Sequence, residues 1–241
     1  IEKNILLIIM TQVYPIDNKK NNEQLEEISK NIINDIFKSV ITEMKYKDLK
    51  TGDLLFFTDN KTWYNRLIEW ATNSEYCHIG MVLKNPVLFN KSYDGLYVIH
   101  STSPELLDVE DHKHKLGVQI TKLEDTLDMY ESVHIRHLNV DRNGDFMENL
   151  KSAHKEVHDV PYDFGPRSWF VSAFYHLGIW DHKVKRHTNA YWCSALVGYI
   201  YVKLGILDKD FDWSNWAPCD FAGNLFKLEG GSELSDIKLL K

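Results

Sequence analysis

Cys193 stands in the run Tyr191-Trp192-Cys193-Ser194-Ala195-Leu196-Val197, where a loop enters an apolar stretch of helical length. A thiol at a helix N-terminus sits at the positive end of the macrodipole and among free backbone N–H groups, which favours its thiolate. The same N–H groups can hold the oxyanion that forms in acyl transfer. A histidine beside such a thiol acts first as general base and then as acid for the leaving group. His78 suits that role: it opens the strand-like run His78-Ile79-Gly80-Met81-Val82-Leu83 and can project from the end of a sheet. His100 closes the run Leu96-Tyr97-Val98-Ile99-His100. If the two strands are neighbours, His100 fixes the tautomer and orientation of His78. Glu105 is the nearest acidic competitor for that third position. Read one at a time, these residues have plainer roles: a buried cysteine at a helix start, a histidine capping a strand, and a histidine ending one.

Elements of the right kind surround them. Leu25, Ile28, Ile32, Ile33, Ile36, Phe37, Val40, Ile41 and Met44 recur at three- and four-residue steps, so residues 25–44 read as an amphipathic helix packed on a core. A partner-binding or membrane-surface role for that helix is the alternative. Gly52-Asp53 forms a turn into the strand Leu54–Phe57, and residues 62–72 read as a short helix capped by Thr62. Residues 84–95 are a hairpin-like connection. Further strands are expected over 117–120 and 132–138, the latter alternating with one wet face. Phe146, Leu150, Ala153 and Val157 form one helical stripe, and the helix from Tyr191 to Leu204 is closed by Gly205. The tail from Asp208 reads as aromatic and irregular.

Composition narrows the class. The 241 residues, 44% hydrophobic and 12% aromatic, suffice for one sizeable domain. Lys and Arg number 28 against 35 Asp and Glu, a net charge of −7, so no nucleic-acid partner is expected. Three cysteines, Cys77, Cys193 and Cys219, make a poor disulfide framework and suggest the cytoplasm or another reducing compartment. The chain opens on Ile1, and an upstream segment is expected to have been lost. The run Ile5–Met10 is too short to span a bilayer, which takes roughly 20 apolar residues.

Taken together, Gly52-Asp53-Leu54-Leu55-Phe56-Phe57, Leu67-Ile68-Glu69-Trp70-Ala71-Thr72, Cys77-His78-Ile79-Gly80-Met81-Val82, Pro161-Tyr162-Asp163-Phe164 and Tyr191–Val197 resemble the circularly permuted papain-like, NlpC-type cysteine hydrolases. That superfamily includes the YiiX-like proteins and the lecithin–retinol acyltransferase group. Its permuted members carry the histidine before the cysteine, as His78 precedes Cys193 here. The resemblance covers roughly residues 47–226. It implies an α+β fold: a small antiparallel sheet or half-barrel with the nucleophile helix packed on it. It also implies Cys193 as nucleophile, His78 as base, His100 as third polar residue, and Tyr162 as an aromatic flanking the cysteine. Tyr162, Trp192 and Ser194 are the residues expected at the substrate or oxyanion position. The chain departs from the pattern in having His rather than Glu at the third position, in Cys77 just before the base, and in a long aromatic stretch from Gly165 to Ala190. Residues 1–46 have no counterpart and read as an N-terminal extension, with residues 47–241 as the catalytic domain.

The function expected is a thiol-dependent hydrolase or acyltransferase cleaving an amide or ester through a Cys193 thioester, with a small-molecule, lipid or peptide substrate. Trp169, Phe170, Phe174, Tyr175 and Trp180 lean that choice toward an apolar acyl group. The alternative is a catalytically inactive binding or structural protein on the same fold, using the N-terminal helix for a protein or peripheral membrane contact. No cofactor and no metal is expected; His176, His182 and His187 match no closed ligand set.

Overall fold

The computed structural model describes residues 19–59, 74–88, 91–163, 189–223 and 226–241. The expected helix at 62–72, the run Ile5–Met10, the aromatic segment Trp169–Trp180 and His176, His182 and His187 lie outside the described residues. The chain divides into two compact units, residues 1–47 and 48–241.

The first unit contains helix α1, Lys19–Lys45. Ile28, Ile32, Ile36, Phe37, Val40, Ile41 and Met44 of its apolar stripe are exposed.

The second unit is α+β. Its strands are β1 (Leu54–Thr58), β2 (His78–Lys84), β3 (Val87–Leu88), β4 (Lys91–Ser92), β5 (Leu96–Thr102), β6 (Gly117–Lys122), β7 (Ser132–Arg136), β8 (Leu138–Asn139), β9 (Glu233–Leu234) and β10 (Lys238–Leu239). Six of them form one antiparallel sheet in the order β10-β7-β1-β2-β5-β6. Its helices are α2 (Leu123–Met129), α3 (Gly144–Val157), α4 (Cys193–Lys203) and α5 (Pro218–Ala222).

The Gly-Asp turn before β1 has a definite job. Gly52 adopts φ +98°, which an L side chain resists. Asp53 is then fully buried, and its carboxylate accepts from the backbone N–H of Lys50 and Leu138, from His137 Nδ1 at 2.8 Å and from Arg142 Nη2 at 3.4 Å. One side chain thereby ties the start of β1 to the far end of β7.

Strand alternation sorts the sheet into two faces. Ile79, Met81 and Leu83 of β2, Tyr97 and Ile99 of β5, and Val118 and Ile120 of β6 join the core that includes Leu196, Val197 and Ile200 of α4. Burying each such side chain contributes roughly 1.5–3 kcal/mol. Residues 193–201 of α4 are all buried, as befits a helix that is apolar all round. Gly198 lets the helix approach the 3-10 turn at 213–215: a Cβ there would lie 2.5 Å from Trp213 Cβ. The helix begins at Cys193, not Tyr191, because Trp192 is extended at φ −84°, ψ 174°, and it ends ahead of Gly205 at φ +71°.

Asn143 caps α3 by accepting from Phe146 N at 3.0 Å, and the stripe Phe146, Leu150, Ala153 and Val157 is buried as its spacing predicts. The tail read as irregular carries α5, β9 and β10, the last of which pairs with β7. Buried Arg136 secures it, donating to the carbonyls of Ser235, Phe221, Gly223 and Leu234. No described helix is long and apolar enough to cross a membrane.

Candidate active site

His78 and His100 lie on the sheet face opposite that core. His78 heads β2, and its Nε2 is 3.0 Å from Nδ1 of His100 on the adjacent strand. Gly80 makes room, because a Cβ there would lie 2.6 Å from Val98 Cγ1 and 3.3 Å from His100 Cβ. Phe57 packs against the His78 ring at 5.3 Å, and Tyr130 stacks on it at 5.7 Å with an interplanar angle of 5°. Both imidazoles are buried. Burial pushes the pKa of His100 down to about 3. Burial, together with the neighbouring His100, pushes that of His78 well below the ordinary histidine range. Both rings are therefore neutral at physiological pH.

Beyond His100 the chain of contacts continues. His100 Nε2 is 3.1 Å from Thr121 Oγ1 in β6, and Thr121 Oγ1 is 2.6 Å from Thr126 Oγ1 in α2. Thr126 donates to the Lys122 carbonyl at 2.9 Å, one helical turn back. Helix α2 starts here with Glu124 and Asp125 in its first turn, complementing its dipole.

Cys193 is the first residue of α4 and is 6% exposed. The backbone N–H groups of Ile79, one residue past His78, and of Ser194 and Cys193 favour the thiolate. Those N–H groups lower the thiol pKa, as expected for a helix start, but desolvation outweighs them and pushes it up to about 11. The expected thiolate is therefore a neutral thiol at rest. The lead-in is tied to the histidine strand: the Ser101 hydroxyl donates to the Tyr191 carbonyl at 2.6 Å, so the neighbour of His100 holds the approach to Cys193.

Of the remaining expected residues, Tyr162 pairs by a short parallel bridge with Tyr191, two residues ahead of the cysteine. Trp192 is the N-cap position of α4, and its buried indole N–H has no partner among the described residues. Ser194 follows the cysteine, and its hydroxyl proton goes to the Trp216 carbonyl. Glu105 is exposed, and His100 is the group that meets His78. Cys77 is buried with its thiol donating to the Phe57 carbonyl at 3.3 Å. None of the three cysteines forms a disulfide.

Sequence reasoning missed Tyr130, Thr121 and Thr126. Tyr130 packs on Phe57 and His78, and its hydroxyl, pushed upward in pKa chiefly by burial, also feels Cys77 and Cys193. Nothing in its local sequence marks it. Thr121 was open to discovery by alternation: it is two residues past Gln119, which pairs with His100 across the sheet.

Among the described residues, Asp111, His158 and Asp159 could present three ligand atoms at metal spacing. Lys115 Nζ, however, lies 2.5 Å from Asp111 and 2.8 Å from Asp159, so its ammonium already supplies the positive charge there. A surface cavity bordered by Asp53, His137 and Glu233 shares no residue with the Cys193–His78 site.

No known protein family and no curated protein matches the chain. Among solved structures it is similar to the metalloprotein yiiX from Escherichia coli O157:H7, at 20% identity and a TM-score of 0.41. That likeness covers 64% of this chain and 66% of the other.

Proposed function

We propose that the second unit is a permuted papain-like, thiol-dependent hydrolase or acyltransferase acting on an ester or amide carbonyl. The observation that carries the reading is that the backbone N–H of Ile79, the residue after His78, acts on the Cys193 sulfur, while Nε2 of His78 meets His100 at 3.0 Å. The order of histidine strand, then nucleophile helix, and the antiparallel sheet under that helix, support the same reading.

In this scheme the thiol and imidazole are both neutral at rest, because burial opposes both charges. The proton leaves sulfur for His78 Nδ1 as the C–S bond forms, not beforehand. The backbone N–H groups at the start of α4 hold the carbonyl oxygen as it becomes an oxyanion. Collapse of that intermediate breaks the bond to the leaving alcohol or amine, which takes the proton from His78. A thioester remains on Cys193. Water, or an acceptor hydroxyl or amine, gives its proton to His78 and attacks the thioester, and the proton returns to sulfur as the acyl product departs.

The test is a panel of lipid esters, N-acyl amides and short peptides, turned over by the parent and by Cys193→Ala. Intact mass spectrometry reads whether the parent gains the acyl mass on Cys193. Turnover by the parent alone, with the adduct, supports the reading, and its lipid or peptide arm names the substrate class. Turnover that survives in Cys193→Ala overturns it.

A second reading rests on the 6% exposure of Cys193 and its raised pKa: the unit is a binding or structural protein in which this thiol is inert. No turnover and no adduct across the panel, from folded protein, selects that reading.

A further inference from the structure

Thr126 ends a chain of hydrogen bonds in which every direction is forced. A backbone carbonyl only accepts, so the single hydroxyl proton of Thr126 goes to the Lys122 carbonyl at 2.9 Å. Thr126 Oγ1 is then an acceptor for its other close neighbour, and Thr121 must donate to it across 2.6 Å. Thr121 in turn has no proton left for His100, so the 3.1 Å contact is His100 Nε2–H donating to Thr121 Oγ1. In a neutral ring that leaves His100 Nδ1 bare. The 3.0 Å contact is therefore His78 Nε2–H donating to His100 Nδ1, and His78 Nδ1 carries the free lone pair.

We infer that Thr121 and Thr126 are positioning residues that set the tautomer of His78 from two side chains away, using the Lys122 carbonyl as a fixed polarity reference. The inference deepens the hydrolase reading and rests on it for its catalytic consequence, but the tautomer itself is a property of the folded protein with or without turnover. The geometry explains how histidine serves at the third position. A carboxylate dictates a tautomer by its charge; a histidine can donate or accept at either nitrogen, so it dictates nothing until its own far side is fixed. Two hydroxyls and one carbonyl do that here without placing a charge in a buried site, where an unpaired charge would be costly. The relay also joins the base to helix α2, since Thr126 bonds back to the residue that precedes that helix.

Ring nitrogen NMR of protein labelled with 15N-histidine tests this directly, with the two rings assigned by loss of signal in His78→Gln and His100→Gln. In the parent at neutral pH, both rings are expected as the neutral Nε2–H form. An Nδ1–H form in either ring overturns the proposal without any further variant. Thr121→Val removes the acceptor for His100 Nε2–H and is expected to move both rings toward Nδ1–H, while Thr121→Ser retains the parent pattern. Thr126→Val leaves Thr121 with a proton and one remaining partner, His100, so it too moves the rings; Thr126→Ser does not. Circular dichroism and thermal melting confirm folding for each. If Thr121→Val fails to fold, the Thr126 pair and the parent spectrum decide. Rings unchanged in both folded valine variants overturn the relay.

If the parent turns over a substrate, the valine variants are expected to lose roughly 10- to 100-fold in kcat with KM little changed, and the serine variants to recover it. Activity that depends on Cys193 while the rings and kcat ignore both threonines sinks the relay and spares the hydrolase reading. Rings that shift as expected in a protein without turnover sink the hydrolase reading and support the relay.

Discussion

His78 Nε2 and His100 Nδ1 face each other at 3.0 Å in a buried site, and no carboxylate among the described residues bonds either ring. A neutral pair of this kind holds the base in place only while His100 offers a lone pair. His100→Ala leaves a buried N–H on His78 without its acceptor, at a cost of about 1–3 kcal/mol in stability. It also frees the ring to turn. For a substrate found in the panel, kcat is expected to fall by roughly 10- to 100-fold with KM little altered, the size associated with losing an orienting partner. Steady-state kinetics with a thermal melt reads both effects. A kcat that stays at the parent value would remove His100 from the site.

Burial also couples the pair to the stability of the fold. The folded pKa of His100 is about 3, and that of His78 is likewise depressed, against 6.5 for the free side chain. Below about pH 6.5 the unfolded chain binds protons that the folded chain refuses, so their contribution to stability is complete above that pH. It is lost progressively as pH falls toward the folded values, each histidine adding a slope of up to about 1.4 kcal/mol per pH unit. Urea unfolding of the parent and of His100→Gln between pH 4 and 6 isolates one of the two. The variant is expected to show the shallower pH dependence; equal slopes would mean His100 titrates normally in the folded state.

The parts of the site that follow from local pattern were legible in the sequence. The strand carrying His78, the strand carrying His100, the helix behind Cys193 with its stop at Gly205, and the stripe Phe146–Val157 all follow from apolar period and turn residues. What was not legible depends on contacts between distant segments. Helix α2 has only seven residues and little apolar periodicity, and its partners for the site, Thr126 and the following Tyr130, acquire their roles only when the sheet brings them to His78 and His100. The state of the thiol was misjudged for the same reason. A helix start is visible in sequence, but the burial that outweighs its N–H groups is not. Short strands such as β9 and β10 carry no period to detect and form because Arg136 donates to the carbonyls of Leu234 and Ser235 while β8 pairs with β9 and β7 with β10.

Gly80 is required by its neighbours rather than by its backbone. An alanine Cβ would meet Val98 Cγ1 at 2.6 Å and His100 Cβ at 3.3 Å, and both of those residues are buried on the adjacent strand. Relief must come from shifting β5, which carries His100. Gly80→Ala is expected to cost about 1–3 kcal/mol, the range for overpacking a filled interior, and to lower turnover by displacing His100. Chemical denaturation gives the first and kinetics the second. An alanine tolerated without loss of either would mean that the two strands part more easily than their packing implies.

The resting state of Cys193 can be read from its own reactivity. Three amides at the start of α4 and at Ile79 pull its pKa down, and desolvation pushes it up, with a net value of about 11. The thiolate is the species that alkylates. At pH 7 iodoacetamide is therefore expected to label Cys193 more slowly than the partly exposed Cys219, with a rate that climbs through the alkaline range toward a midpoint near 11. Peptide mapping across a pH series resolves the two sites. A midpoint below 8 would show that the amides and the helix dipole outweigh burial and that a thiolate–imidazolium pair exists before substrate arrives. The proton transfer to His78 would then precede C–S bond formation instead of accompanying it. The slow, alkaline profile leaves the concerted route, in which the carbonyl must already be in place before sulfur gives up its proton.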